Sequence, residues 1–160
     1  MTAVSETPRI GYSPEEIVTG EPTRSARYKW AVVVEAGIPA GQMVNAVACV
    51  AAATGALVDG LIARGGPDAS GSGHPGLPWA GCTILGGSAE EIAAVRERAA
   101  ARDDILVIDM PAAAQAHRVY DDYLSELGRT KPADLGVCAF SVFGPRNAVG
   151  KITKTLALLP

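Results

Sequence analysis

At 160 residues, with 48% hydrophobic and 19% charged side chains, the chain has the size and composition of one soluble domain with a real core. Its formal net charge of −3 argues against broad electrostatic capture of nucleic acid, though not against a local basic patch. Aromatic residues make up only 5% of the chain, too few for a platform that stacks single-stranded RNA.

Cys49, Cys82 and Cys138 are far apart and show neither CxxC nor zinc spacing, so reduced thiols are expected and no metal. No basic-plus-apolar leader pattern opens the sequence, and no apolar run is read as reaching membrane length. The expected location is the cytoplasm, with no membrane partner.

Taken in order, residues 1–23 read as an N-terminal arm, partly disordered from Met1 to Thr7, and residues 24–160 as a single domain. Ser13-Pro14-Glu15-Glu16 is a capping box with proline at the first helical position, which predicts one or two helical turns. Arg24 and Arg27 follow, either solvated or able to reach an anion.

The stretch from Lys29 to Thr54 organises the rest. Ala31 to Val34 is apolar without alternation, as in a strand covered on both faces. Gly37, Pro39 and Gly41 punctuate a turn. From about Ala40 the chain is apolar on nearly every side of a helix, which predicts enclosure by protein. Gln42 and Asn45 interrupt that run and mark the neighbourhood of any site.

Gly55 to Pro78 is rich in Gly, Ser, Pro and Asp, a lid or a disordered loop, and carries His74. Cys82 to Leu85 reads as the second strand, closed by Gly86-Gly87. Ser88 to Glu91 is a second capping box, and Ile92, Val95 and Ala99 form the apolar stripe of its helix. Asp104 to Met110 is the third strand. Pro111 opens a helix expected to run to about Leu127, with Val119, Tyr120 and Tyr123 inward and His117 as a surface or packing residue. Gly136 to Phe143 is the fourth strand, followed by a short helix from Asn147 to Lys151 and an apolar tail. The alternation predicts an α/β protein with a parallel right-handed crossover.

Common nucleotide, protease and kinase motifs are absent, and Gly86-Gly87-Ser88 is a weak echo of a phosphate-cradling turn. Asn45 is more informative, because bare amide groups in an apolar helix cost about 1–3 kcal/mol. Its side chain either bonds backbone or faces a pocket. Gln42, Asn45 and Cys49 fall on one helical face, and Glu35 sits at the carboxyl end of the preceding strand, where ligands gather in open α/β sheets. Cys49 reads as a buried thiol rather than a nucleophile. Arg146, Lys151 and Lys154 form a basic group, either a solvated edge or a phosphate contact.

Lys29-x-Ala31-Val32-Val33-Val34, Gly41-Gln42-x-x-Asn45-Ala46 and the ending Gly144-Pro145 through Val149, Lys151-Ile152-Thr153-Lys154 to Leu158-Leu159 resemble a bacterial domain-of-unknown-function family, the one catalogued as "two thousand". The stretch from Asp68 to Pro75 also resembles that family. The family is similar in fold to peptidyl-tRNA hydrolase II. The resemblance covers about residues 24 to 160 and implies a three-layer α/β/α domain with a mixed four-stranded sheet. The hydrolase has lysine where this chain has Gln42, and glutamine and histidine where it has Ala46 and Cys49. The implied function is a divergent hydrolase of an acyl, peptidyl or aminoacyl ester, tRNA-linked or small, with a rebuilt site and no cofactor. Asn45, Gln42 and His74 are its catalytic candidates. Glu35, Gly41, Cys49, Arg146 and Lys151 are its substrate-binding candidates. The alternatives are a non-catalytic binding module for a small molecule or protein, and a structural homodimer joined through a helix or sheet edge.

Overall fold

A computed structural model describes residues 9–160, so the expectation for Met1 to Thr7 lies outside the described residues. The arm carries β1 (Ile10–Gly11) and two short 3₁₀ turns, Pro14–Glu16 and Thr23–Ser25. At the first turn the Ser13 amide donates to the Glu16 carboxylate at 2.9 Å, as the capping box requires. Tyr12, buried, packs between Trp79 and Tyr28 with ring centroids 4.8 and 5.2 Å away, which fixes the arm to the domain.

The first long strand is β2 (Tyr28–Glu35). Its apolar run does not alternate because both faces are covered. Trp30, Val32 and Val34 enter one core cluster, and Ala31 and Val33 enter the other. Helix α1 (Ala40–Leu57) lies over the first cluster. The expected enclosure of α1 is not found. Only the stripe Ala46, Val50 and Thr54 is buried, and Val44 is 67% exposed. The outward positions are mostly glycine, alanine and cysteine, whose small side chains lose little by meeting water. By length and composition α1 is apolar enough to cross a membrane, contrary to the reading of the sequence, but here it is laid along the sheet.

Val58–Asp59 forms β3, which pairs with β1 in parallel. The glycine-rich loop is then a small antiparallel hairpin of β4 (Gly66–Pro67) and β5 (Gly73–His74). Strand β6 (Thr83–Gly87) leads into α2 (Ala89–Ala100), where the capping box forms as expected: the Glu91 amide donates to Ser88 Oγ at 3.2 Å, and the Ser88 amide to Glu91 Oε2 at 2.8 Å. Ile92, Val95 and Ala99 are its buried stripe.

Strand β7 (Leu106–Met110) follows. The single helix expected from Pro111 to Leu127 is instead two, α3 (Ala112–Ala116) and α4 (Tyr120–Leu127). His117 adopts extended backbone at the break. Val119 and Tyr120, expected inward, are 56% and 72% exposed. The chain ends with β8 (Ala139–Pro145), α5 (Arg146–Thr153) and β9 (Ala157–Leu158).

The main sheet has five strands in the order β7-β8-β2-β6-β9, one more than expected, because the apolar tail adds β9 antiparallel to β6. Strands β2, β6 and β7 run parallel to one another, and β8 and β9 run the other way. Helix α1 covers one face, and α2 and α5 cover the other. Gly86 and Gly87 serve this tail rather than a phosphate: a Cβ on either would come within 2.9 Å of Leu159 or Leu156.

A buried chain of hydrogen bonds pins α1 to the sheet. The Trp30 indole donates to Ser141 Oγ at 2.8 Å, Ser141 and Thr54 share a bond at 2.7 Å, and Thr54 donates to the Val50 carbonyl at 2.7 Å. Every buried side-chain nitrogen and oxygen among the described residues has a partner.

Candidate functional site

The parallel strands β2, β6 and β7 end at one edge of the sheet, at Glu35, Gly87 and Met110, and β8 starts there just after Cys138. Ligands of open α/β sheets bind at such an edge. Two cavities flank it, one on each face.

On the α1 face an open recess of about 650 Å³ is lined by Gln42 and Asn45 from α1, by Ala112, Ala114, Gln115 and Ala116 from α3, and by His117. Gln115 is its hub. Its Nε2 donates to the Gln42 carbonyl at 3.0 Å and to Asn45 Oδ1 at 3.1 Å. Its Oε1 accepts from Gln42 Nε2 at 3.1 Å and from the Cys138 thiol at 3.6 Å. Both donors and both lone pairs of Gln115 are therefore used. That leaves Asn45 Nδ2 with both protons and Gln42 Oε1 with its lone pairs, a donor and an acceptor on two residues that both line the recess, the groups that a carbonyl or an amide would need. Asn45 bonds another side chain, not backbone, and it is exposed.

His117 completes the recess. Its Nε2 lies against Glu126 Oε2 in a close hydrogen bond. An ionised carboxylate can only accept, so Nε2 is the donor in this pair, and in the neutral imidazole Nδ1 then carries the lone pair. The break between α3 and α4 makes this pair possible. In a continuous helix, residues nine apart point in opposite directions and stand about 13 Å apart along the axis.

Cys138 is buried, and its burial pushes the thiol pKa up, so it remains protonated at neutral pH. Its single proton lies within reach of Gln115 Oε1 at 3.6 Å and of the Met110 carbonyl at 3.8 Å, which makes it a hydrogen-bond donor, not a nucleophile.

On the opposite face a second cavity of about 560 Å³ lies between α2 and residues 132–137, with Glu35 at its edge. Glu35 is therefore not part of the recess, because successive strand residues point to opposite faces. The other candidates are also dispersed. Gly41 lies in the first turn of α1 and approaches nothing. Cys49 is an exposed thiol one turn beyond Asn45, not a buried one.

His74 is bonded at 3.0 Å to Asp68 inside the β4–β5 hairpin and does not line the recess. That hairpin is rooted where Ile62 bridges Pro78, beside Leu61 and Trp79, near the carboxyl end of α1 rather than near Asn45. Arg146 is committed to structure: its guanidinium donates to the carbonyls of Ala26 at 2.8 Å, Thr23 at 2.9 Å and Tyr28 at 3.0 Å. Lys151 lies with Lys154 and Arg98 in a groove between α2 and α5, on the face away from the recess. Arg27 pairs with Glu16. Among the described residues no cluster of three acidic, histidine or cysteine side chains is placed to hold a metal.

The sequence reading missed Gln115, His117 and Glu126. One signal was available for Gln115: it is the only polar residue in α3, an amide among apolar residues as Gln42 and Asn45 are in α1.

No functionally curated protein matches the chain. A solved structure of a protein of unknown function from Agrobacterium tumefaciens is similar in fold, with a TM-score of 0.77 at 20% identity, covering 82% of this chain and 97% of that one. The family model described as "Protein of unknown function (DUF2000)" matches residues 28–160, and the chain belongs to that family.

Proposed function

We propose that the recess on the α1 face hydrolyses an acyl, peptidyl or aminoacyl ester, tRNA-linked or small, on a fold of the peptidyl-tRNA hydrolase II kind. The observation that carries this reading is the His117–Glu126 pair beside the free amide groups of Asn45 and Gln42. A histidine held by a carboxylate is a general base, and an amide N–H is a donor for a carbonyl oxygen that gains charge.

In the proposed reaction His117 Nδ1 takes a proton from water as the water oxygen attacks the acyl carbon. Asn45 Nδ2 donates to the oxyanion, and Gln42 Oε1 accepts from an N–H of the acyl group. The tetrahedral intermediate expels the alkoxide, which takes the proton back from His117 and leaves a free acid and an alcohol. Gln115 holds both amides in place, and Cys138 holds Gln115. Lys151 is too far around the domain to share a small substrate with Asn45.

The test is acyl release from free and N-blocked aminoacyl-tRNAs and from small acyl esters, with wild type beside Asn45→Ala. Turnover that the variant loses supports the reading, and no turnover on any member overturns it.

A second reading is a non-catalytic module or homodimer. It is favoured by the outer face of α1, which carries no charged residue and exposes Val44. A single monomeric species at micromolar concentration would count against the dimer.

A further inference from the structure

The cavity on the α2 face differs in chemistry from the recess and takes no part in the proposed reaction. Its accessible lining is apolar: Ala93 is exposed and Leu135 and Val137 are half-buried, with fully buried Ile92 and Phe140 behind them. Residues Ala89, Ile92, Ala93, Arg96 and Glu97 line it at the three- and four-residue spacing of one side of α2. From Ala89 to Glu97 that side is about 12 Å long.

The charges are unbalanced. The Arg96 charge is balanced by Asp109, with bonds of 2.7 and 2.6 Å between guanidinium and carboxylate. Glu35 and Glu97 have no cation within ion-pair distance among the described residues. The cavity is therefore an apolar slot with two uncompensated carboxylates, and Glu35 stands where the sheet's parallel strands end. An anion is disfavoured there, and a neutral apolar molecule leaves Glu35 unsatisfied. An apolar body with one ammonium head satisfies both parts of the site.

We propose that this slot binds an apolar primary amine, its ammonium group on Glu35 and its apolar body against Ala93, Leu135 and Val137. The ammonium donates to the Glu35 carboxylate, and Arg96 stays with Asp109. Nothing is transformed, so this is a binding site, independent of the chemistry proposed for the other face.

The test uses the full chain, isotope-labelled, titrated at low salt with 2-phenylethylamine, 2-phenylethanol and 3-phenylpropionate while amide resonances are followed. The amine is expected to shift resonances of α2 and residues 135–140 and to bind about fivefold more tightly than the alcohol, the strength of one partly exposed ion pair. The carboxylate is expected not to bind. Glu35→Gln should bring the amine to the level of the alcohol, and Ala93→Trp, which fills the slot from an exposed position, should abolish both. Equal binding of amine and carboxylate, unchanged amine binding in Glu35→Gln, or no shift with wild type overturns the proposal. The wild-type comparison needs no variant to fold, and acyl release on the other face stands or falls separately.

Discussion

The two cavities at the carboxyl edge of the sheet are separated by one layer of backbone and differ in almost every other respect. The α1 side presents an open recess with amides tied together through Gln115 and, beside them, a histidine–carboxylate pair. The α2 side presents an apolar slot with two carboxylates, Glu35 and Glu97, unpaired among the described residues. The alternation of a strand makes the difference: Val34 and Glu35 are neighbours in sequence and face opposite layers. Residues close in sequence at such an edge are therefore not one site, and residues far apart, Asn45 and Gln115, are.

The comparison can be broken at the recess first, where the largest effects are expected. His117→Ala should lower acyl release by about a hundredfold to ten-thousandfold, the range of general-base catalysis, with the chain still folded. Asn45→Ala removes one donor to the oxyanion and should cost about a hundredfold in kcat. Because Asn45 is exposed, melting of that variant should stay close to wild type. A fall in stability without a fall in turnover would make Asn45 a structural latch only.

The frame that holds the two faces apart is tested by Ser141→Ala. It leaves the Trp30 indole and the Thr54 hydroxyl short of a buried partner, which costs about 1–3 kcal/mol and lowers Tm by roughly 3–10 °C.

A smaller effect concerns the thiols. The folded-state pKa of Cys138 is raised by burial, so its thiolate forms only above the ordinary thiol range. Alkylation at pH 8 should modify exposed Cys49 and spare Cys138 in the folded chain, as read by mass spectrometry of digested protein. Fast modification of Cys138 would show that the hub of the recess is open.

The smallest effect lies in the hairpin. Asp68 is held well below the usual carboxylate range, first by the Ser70 hydroxyl and then by His74. A depressed carboxylate supports structure above its unfolded pKa and loses that support only as pH falls through the folded value. Protection of the Ser70 and Ser72 amides, which bond Asp68 at 2.8 and 3.1 Å, should therefore persist down to about pH 4. Loss of that protection well above pH 4 would show that the Asp68 carboxylate does not control the loop.

Much of the fold was legible in the sequence for local reasons. The non-alternating run from Ala31 to Val34, the capping box at Ser88 and the stripe Ile92, Val95, Ala99 each encode their own structure. The fifth strand was not legible, because Ala157 and Leu158 become a strand only by pairing with Gly86 and Leu85. The helix break at His117 was equally hidden: the residues from Pro111 to Leu127 are compatible with one helix, and the pairing of His117 with Glu126 that accompanies the break is not visible in local sequence. Only the α1 side of the candidate site followed from the sequence. Gln42 and Asn45 stood out as amides in an apolar helix, but their partners lie more than sixty residues away. Arg146 was misjudged because its charge is visible in sequence and the three carbonyls that occupy it are not.

The chain has two histidines, and they separate the two accounts of its chemistry. Sequence reasoning selects His74, and the geometry selects His117. The most direct measurement is acyl release from the aminoacyl-tRNA and ester panel by wild type, His117→Ala and His74→Ala, each verified as folded. The account predicts turnover by wild type and His74→Ala, and its loss in His117→Ala. Loss in His74→Ala with turnover kept in His117→Ala, or no turnover by wild type on any member, would contradict it.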